Sequence, residues 1–166
     1  NVEFYSLKRT EKAIKNADIA VLIIDSNEGI TNQDKKIASL VVNEKKGLII
    51  AANKWDTAKE KGLNVRNFIE DCYYIFPHIS YVDIINISAK TGYNKIKLLK
   101  KINKVYNNYN IKIGTNELNN TLNCLNGYGL KVKYCFQKRT SPPEFDLFLA
   151  KINENDTNYK RFIINS

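Results

Sequence analysis

The chain is poor in the residues that build metal centres and nucleophilic sites. Its 166 residues include one histidine, three cysteines, three prolines and no methionine. His78 has no metal-binding or catalytic constellation around it, and Cys72, Cys124 and Cys135 show neither C-x-x-C spacing nor even pairing. The sequence therefore argues against a metal site and against histidine-based catalysis, and we expect the cysteines to be isolated thiols.

Long apolar runs are also absent, and the charge is mainly of one sign. No stretch approaches the apolar length that a membrane-spanning helix needs. Against 17 Asp and Glu stand 26 Lys and Arg, which gives a net charge of +9. This excess favours a polyanionic partner, with RNA preferred over lipid, unless the lysines only solvate a helix face.

Up to Tyr109 the sequence alternates between strand-like and helix-like segments. The strand-like segments are short apolar runs of the kind that parallel sheets bury on both faces. The pattern predicts an α/β fold, a parallel sheet with right-handed crossovers and helices on both faces. The predicted helices span 5–16, 31–43, 65–76 and 94–109, and the predicted strands span 18–25, 48–52 and 81–87.

After Tyr109 the pattern changes to a small α+β domain of order βαββα, so we expect domains at 1–110 and 111–166. Leu130, Val132, Tyr134 and Phe136 alternate with Lys131 and Lys133, which predicts one apolar and one basic strand face. The other predicted elements are a strand at 111–113, a helix from 115, a strand at 145–150 and a helix at 156–164.

Asn53-Lys54-Trp55-Asp56 follows the apolar run 47–52. A carboxylate at the end of a strand can accept both N1–H and the exocyclic amine of guanine, a donor pair that adenine lacks. The aliphatic stem of Lys54 can lie over the purine face, and the Asn53 amide can tie the loop to a neighbouring segment. The tetrapeptide resembles the guanine-recognition element of GTPases.

A second motif, Ser88-Ala89-Lys90, follows the run 81–87. It resembles the other base-binding loop of GTPases, in which the backbone N–H at the alanine position donates to guanine O6. Neighbouring parallel strands would bring both loops to one edge of the sheet, where α/β proteins bind ligands. We therefore expect a guanine site at Asn53, Lys54, Asp56, Ser88, Ala89 and Lys90.

The phosphate half of a GTPase site has no counterpart in the sequence. None of the seven glycines opens a G-x-x-x-x-G-K-[ST] loop, and no Asp-x-x-Gly segment is present. We expect a fragment that lacks its N-terminal portion, contains no catalytic residue, and holds neither nucleotide nor Mg²⁺ tightly.

Taken together, these segments resemble the Der (EngA) family of tandem-domain GTPases almost from end to end. The resemblance rests on Asn53–Asp56, on Ser88-Ala89 followed by Thr91-Gly92, and on the more specific segments 139–145 (RTSPPEF) and 158–162 (NYKRF). It implies the latter half of the second P-loop GTPase domain followed by a KH-like domain.

The resemblance also implies a function for the intact protein. It implies GTP/GDP binding and hydrolysis with Mg, assembly of the large ribosomal subunit, and further N-terminal GTPase domains. Contact with the subunit or its rRNA would use Lys131, Lys133, Lys138 and Arg139, with Tyr128 able to stack on a base. The location would be the cytoplasm of a bacterium, or an organelle if the source is eukaryotic.

Three other interpretations stay open. One is an Era-type GTPase with a single GTPase domain and an RNA-binding KH domain, which the missing G-x-x-G near Leu125–Gly129 disfavours. Another is a non-catalytic module that docks on ribosomes or RNA. The third is a lysine-rich α/β domain in which the motifs arise by chance.

Overall fold

The computed structural model describes residues 2–125 and 132–149. The chain divides into two compact units, Asn1–Tyr109 and Asn110–Ser166. The predicted helix at 156–164 and the predicted roles of Tyr128 and Lys131 lie outside the described residues. Among the described helices, none is long and apolar enough to cross a membrane.

The first unit is a parallel three-stranded sheet with helices, in the predicted α/β order. The elements are α1 Val2–Asn16, β1 Ile19–Asp25, α2 Asn32–Asn43, β2 Gly47–Asn53, α3 Trp55–Glu60, α4 Val65–Ile75, a short 3₁₀ turn Pro77–Ile79, β3 Asp83–Asn86 and α5 Lys95–Tyr109. The strands lie in the order β1-β2-β3, and each neighbouring pair is parallel.

Strand β2 is the centre of this unit. Successive side chains of a strand point to opposite faces, so Leu48 and Ile50 pack in a cluster with residues of α1 and α2. Ile49 and Ala51 pack on the other face against residues of α5. The prediction of helices on both faces is confirmed. Burying each isoleucine contributes about 1.5–3 kcal/mol, so this strand fixes the sheet edge that carries the motifs.

Two predicted burial patterns differ from the structure. Ile23 is 60% exposed because β1 is the edge strand of the described sheet, so this strand is not buried on both faces. In α5, the helical spacing of the apolar residues predicts one inward stripe of Leu98, Leu99, Ile102, Val105, Tyr106 and Tyr109. Leu98 packs on the sheet, but Leu99 and Tyr106 are 53% and 47% exposed. A helix of 3.6 residues per turn turns only one stripe toward a flat sheet.

In the second unit, the helix α6 Thr115–Leu125 precedes an antiparallel hairpin of β4 Val132–Thr140 and β5 Pro143–Leu149. Residues 111–113 do not form the predicted strand. Instead, the Gln137 side-chain amide donates to Ile111 O at 2.7 Å and accepts from Ile113 N–H at 2.8 Å. A side chain thus takes the backbone bonds that a strand partner would have made.

The predicted alternation of β4 is wrong beyond Val132. A register shift between Val132 and Tyr134 interrupts the pairing with β5. Cys135 is therefore buried at 1% exposure, whereas Tyr134 is 46% exposed. The backbone of Cys135 is bonded to the Asn119 amide of α6, through N–H at 2.9 Å and O at 3.0 Å. One extra residue in a strand reverses the faces of those that follow.

Candidate functional site

The two predicted base-binding loops lie together at one edge of the sheet. Asn53 ends β2, and Asn86 ends the neighbouring parallel strand β3. The Trp55 N–H donates to Ile87 O at 3.0 Å, and the Asn53 Oδ1 accepts from Ala89 N–H at 2.9 Å. These two bonds join the loops, and the second is the tie expected of the Asn53 amide.

Asp56 faces the second loop. A hydrogen bond with the Ser88 side chain is the main cause that lowers the pKa of the Asp56 carboxyl, and the positive charge of Lys90 lowers it further. Ser88 is 1% exposed, and its Oγ accepts from Thr91 N–H at 3.2 Å. Asp56 is therefore an ionised, oriented acceptor at neutral pH, which is the state that a guanine edge requires.

Lys54 has an unusual backbone and a fixed ammonium. Its φ of 60° and ψ of 32° place it in the left-handed region, which a side chain with a Cβ rarely adopts. Its Nζ lies 2.5 Å from Asp25 Oδ2, and this contact is the main cause that raises the Lys54 pKa. The same contact lowers the pKa of Asp25 to about 2.

Trp55 anchors the guanine motif to the core. It is 3% exposed, and its ring meets Phe68 of α4 edge to face, with centroids 5.6 Å apart and planes at 80°. Ala52, Ala58 and Cys72 are the other buried members of this cluster. A large buried ring one residue after Lys54 leaves the loop little freedom to rotate.

The Ala89 N–H, which would donate to guanine O6, already has a hydrogen-bond acceptor in this structure. It is already bonded to Asn53, so a guanine O6 at this position would share the donor or replace the Asn53 oxygen. Lys90 is exposed beside it. The six residues of the predicted guanine site, Asn53, Lys54, Asp56, Ser88, Ala89 and Lys90, all lie on these two loops.

Of the predicted RNA contacts, Lys133, Lys138 and Arg139 lie exposed on β4, and Lys131 is outside the described residues. Lys138 Nζ is 3.8 Å from Asp146, and Arg139 is 3.9 Å from Glu144 across the hairpin. Ion pairs that are exposed and this long stabilise the protein by well under about 1 kcal/mol. Lys138 and Arg139 can therefore leave these carboxylates for another anionic partner.

A cleft of about 460 Å³ lies between α4 and the turn after β1. Its lining includes Gly29, Leu63, Phe68 and Cys72. Burial raises the pKa of the Cys72 thiol to about 12, so this cysteine is a packed side chain and not a nucleophile. Within the described ranges, no group of His, Cys, Asp and Glu is arranged to hold a metal ion.

The residues that contact the site but are absent from the sequence prediction include Asp25, Ser26 and Thr57. Asp25 ends β1 in register with Asn53, Ser26 donates to Asn53 O, and Thr57 follows the guanine motif. The sequence signal that could have predicted the Asp25 contact was an acidic residue at the end of a strand. This signal indicates a contact with the guanine motif only when the pairing of β1 with β2 is known.

Comparison with known proteins defines the class. The family model of the elongation factor Tu GTP-binding domain matches residues 3–108. The chain therefore belongs to this family of GTP-binding domains. Its similarity to the translation elongation factor SelB of Methanococcus maripaludis, in complex with a GTP analogue, shows the same fold at 19% identity. That match has a TM-score of 0.50 and covers 86% of this chain and 30% of SelB.

Within this class, the chain resembles GTPase Der. It is 37% identical to the Der protein of Nautilia profundicola over 99% of its own length, which confirms the predicted resemblance. It spans only 37% of that relative. A crystal structure of Era with a fragment of 16S ribosomal RNA is 28% identical, with a TM-score of 0.49, and the match covers 57% of this chain and 31% of Era.

Proposed function

We propose that residues 1–110 provide the base-recognition half of a GTPase nucleotide site. The observation that carries this proposal is the junction of the two loops where β2 and β3 end, with Asn53 Oδ1 bonded to Ala89 N–H at 2.9 Å and Asp56 beside Ser88. Both loops are fixed before any ligand arrives, by the bonds of Trp55 to Ile87 and of Asn53 to Ala89.

Guanine fits this arrangement by its hydrogen-bonding edge. The Asp56 carboxylate would accept N1–H and the exocyclic amine together, and the Ala89 N–H would donate to O6, either shared with Asn53 Oδ1 or in its place. Adenine presents an amine where guanine presents O6 and lacks the paired donors. Unpaired polar groups at such a site cost about 1–3 kcal/mol, or roughly tenfold to a hundredfold in affinity.

The whole protein would bind GTP with Mg²⁺ and hydrolyse it, with the phosphate loop and the catalytic groups in a part that this sequence does not contain. The chain spans about two fifths of the Der relatives, which leaves room for such a part. The chain alone should then bind GDP only in the millimolar range, which corresponds to about −4 kcal/mol.

Amide NMR of the chain tests this proposal at the site itself. Titration with GDP to several millimolar should shift the backbone signals of Asp56, Ala89 and Lys90, whereas ADP at equal concentration should leave them nearly unchanged. The amides of α6 provide an internal reference. Equal shifts with both nucleotides, or micromolar GDP affinity, would contradict the proposed half-site.

For residues 111–166 we propose a KH-like docking domain that contacts rRNA or the large ribosomal subunit. This rests on the family resemblance and on the net charge of +9. The contacts would be to phosphates, from Lys131, Lys133, Lys138 and Arg139, and would be independent of sequence. The protein would then act in the bacterial cytoplasm, or in an organelle of a eukaryotic source.

Charge reversal tests the docking proposal. Changing Lys131, Lys133 and Arg139 to Glu should weaken binding of the whole protein to large-subunit particles and flatten its salt dependence, because fewer counterions are released. A matched control reverses Lys97, Lys100 and Lys104, three exposed lysines of α5. Equal sedimentation of both variants with ribosomal particles across a salt series would show that this strand only faces solvent.

A further inference from the structure

A closed circuit of polar contacts connects the turn after β1 to Lys54. Asp25 Oδ2 contacts the Lys54 ammonium at 2.5 Å, and Asp25 Oδ1 accepts from the Asn27 backbone N–H at 2.9 Å and from its Nδ2 at 3.2 Å. Asn27 Nδ2 also donates to Thr57 Oγ1 at 2.9 Å. Thr57 Oγ1 donates in turn to Lys54 O at 2.9 Å. The first contact of this circuit is made by the Lys54 ammonium and the last by the Lys54 carbonyl oxygen.

Lys54 needs such support at both ends. Lys54 has a left-handed backbone although it is not a glycine, and a residue with a side chain keeps this conformation only where its surroundings impose it. Its side chain is long and 60% exposed, so its stem would otherwise sample many rotamers. Because Thr57 holds the carbonyl and Asp25 holds the ammonium, the aliphatic stem of Lys54 lies between two held groups.

The turn itself is fastened to the same motif. Ser26 N–H and Ser26 Oγ both donate to Asn53 O, at 3.0 and 2.6 Å. Asp25 is next to Asn53 in the register of β1 and β2. The carboxylate therefore reaches Lys54 from a neighbouring strand, and its position depends on the sheet and not on a flexible loop.

The charge state of the pair is stable over the working range of pH. The Lys54 ammonium is the main cause that lowers the Asp25 pKa to about 2, and the Asn27 N–H is the next. The same pair raises the pKa of Lys54. Both groups therefore stay charged between mildly acidic and alkaline pH.

We propose that Asp25, Asn27 and Thr57 are positioning residues that hold the Lys54 stem as a fixed apolar surface on which the face of a purine base packs. This deepens the proposed guanine site and rests on it. Asp56 selects the base by its edge, and the circuit sets how tightly any purine is held by its face. Fixing the stem before binding removes an entropic cost that a free lysine would pay.

The test uses the whole protein and a matched ion pair. Asp25→Asn and Thr57→Val should each weaken GDP binding about three- to tenfold, the effect of losing one or two oriented hydrogen bonds. Asp83→Asn is the control. It breaks the 2.5 Å pair of Asp83 with Lys101 at the other end of the sheet, so GDP affinity should stay within about twofold of wild type.

Two further readouts separate positioning from general stability. In a Lys54→Met background, Asp25→Asn should have no additional effect, because no ammonium remains to hold. The ratio of the affinities for GDP and for xanthosine diphosphate (XDP) should not change in Asp25→Asn, since Asp56, which reads the edge of the base, is intact. The inference is overturned if Asp25→Asn behaves like Asp83→Asn, or if its effect persists beside Lys54→Met. A wild-type protein that binds ADP as well as GDP would overturn the proposed function itself.

Discussion

Removing the Asn53 side chain is the sharpest structural test of how the two loops are joined. In the structure, Asn53 Oδ1 accepts from Ala89 N–H at 2.9 Å, and this bond spans 36 residues of sequence. Asn53→Ala deletes the acceptor and leaves the backbone bond of Trp55 N–H to Ile87 O in place. The variant therefore loosens the second loop without separating the strands.

The magnitude follows from the exposure of this bond. An intramolecular hydrogen bond is worth about 0.5–1.5 kcal/mol, and a buried donor left without a partner costs more. Ala89 is exposed, so water can replace the lost oxygen, and the lower half of the range applies. We expect Asn53→Ala to lower the free energy of unfolding by about 0.5–1 kcal/mol and to weaken GDP binding of the whole protein about two- to fivefold.

Urea unfolding and nucleotide titration measure these effects separately. The matched control is Asn64→Ala, which removes the bond from Arg66 N–H to the cap of α4 at 2.8 Å. That cap loss should cost about 1 kcal/mol of stability and leave GDP affinity unchanged. The reasoning fails if Asn53→Ala reduces GDP affinity no more than Asn64→Ala does.

Three other variants test the packing and charge of the first unit. Trp55→Ala should cost about 3–5 kcal/mol in urea unfolding followed by circular dichroism, and a loss below ~1 kcal/mol would contradict its anchoring role. Gly47→Ala should cost about 1–3 kcal/mol in the same assay, because a Cβ would lie 2.4 Å from Ile19 Cδ1 and 2.9 Å from Cγ1 of the β-branched Val105, which cannot both move aside, and no loss would contradict these contacts. Asp25 has its pKa lowered from 3.8 to about 2, so its stabilisation is complete above about pH 4 and lost as pH falls toward 2. Asp25→Asn should therefore be less stable than wild type at pH 7, and the difference should shrink as pH falls from about 4 through 2; a difference that stays constant would refute this.

The sequence predicted the structure best where a single residue type, or the end of a single strand, determines the position of a loop or a helix start. Asn53 and Ser88 follow apolar runs, and because parallel strands end at the same edge of a sheet, their loops could be placed together without coordinates. The α2 start was also readable, since Thr31 and Asp34 form a capping box in which each side chain bonds the other's backbone N–H.

What escaped prediction depends on register and on side chains that replace backbone partners. The contact of Asp25 with Lys54 requires the alignment of β1 with β2, which no local pattern gives. The face reversal in β4 follows from one register shift near Tyr134, and a period of two cannot reveal it. Gln137 displaces a predicted strand because its amide supplies both a donor and an acceptor.

The central claim is that Asp56 reads the edge of guanine, and one substitution in the whole protein tests it most directly. Asp56→Asn exchanges an acceptor oxygen for a donor amine. Guanine then meets a donor opposite its own amine, whereas xanthine offers a carbonyl there. In competition binding with GDP and XDP, the variant should shift its preference from guanine toward xanthine. A variant that keeps the wild-type preference for GDP would contradict the assignment of Asp56 and, with it, the account of this site.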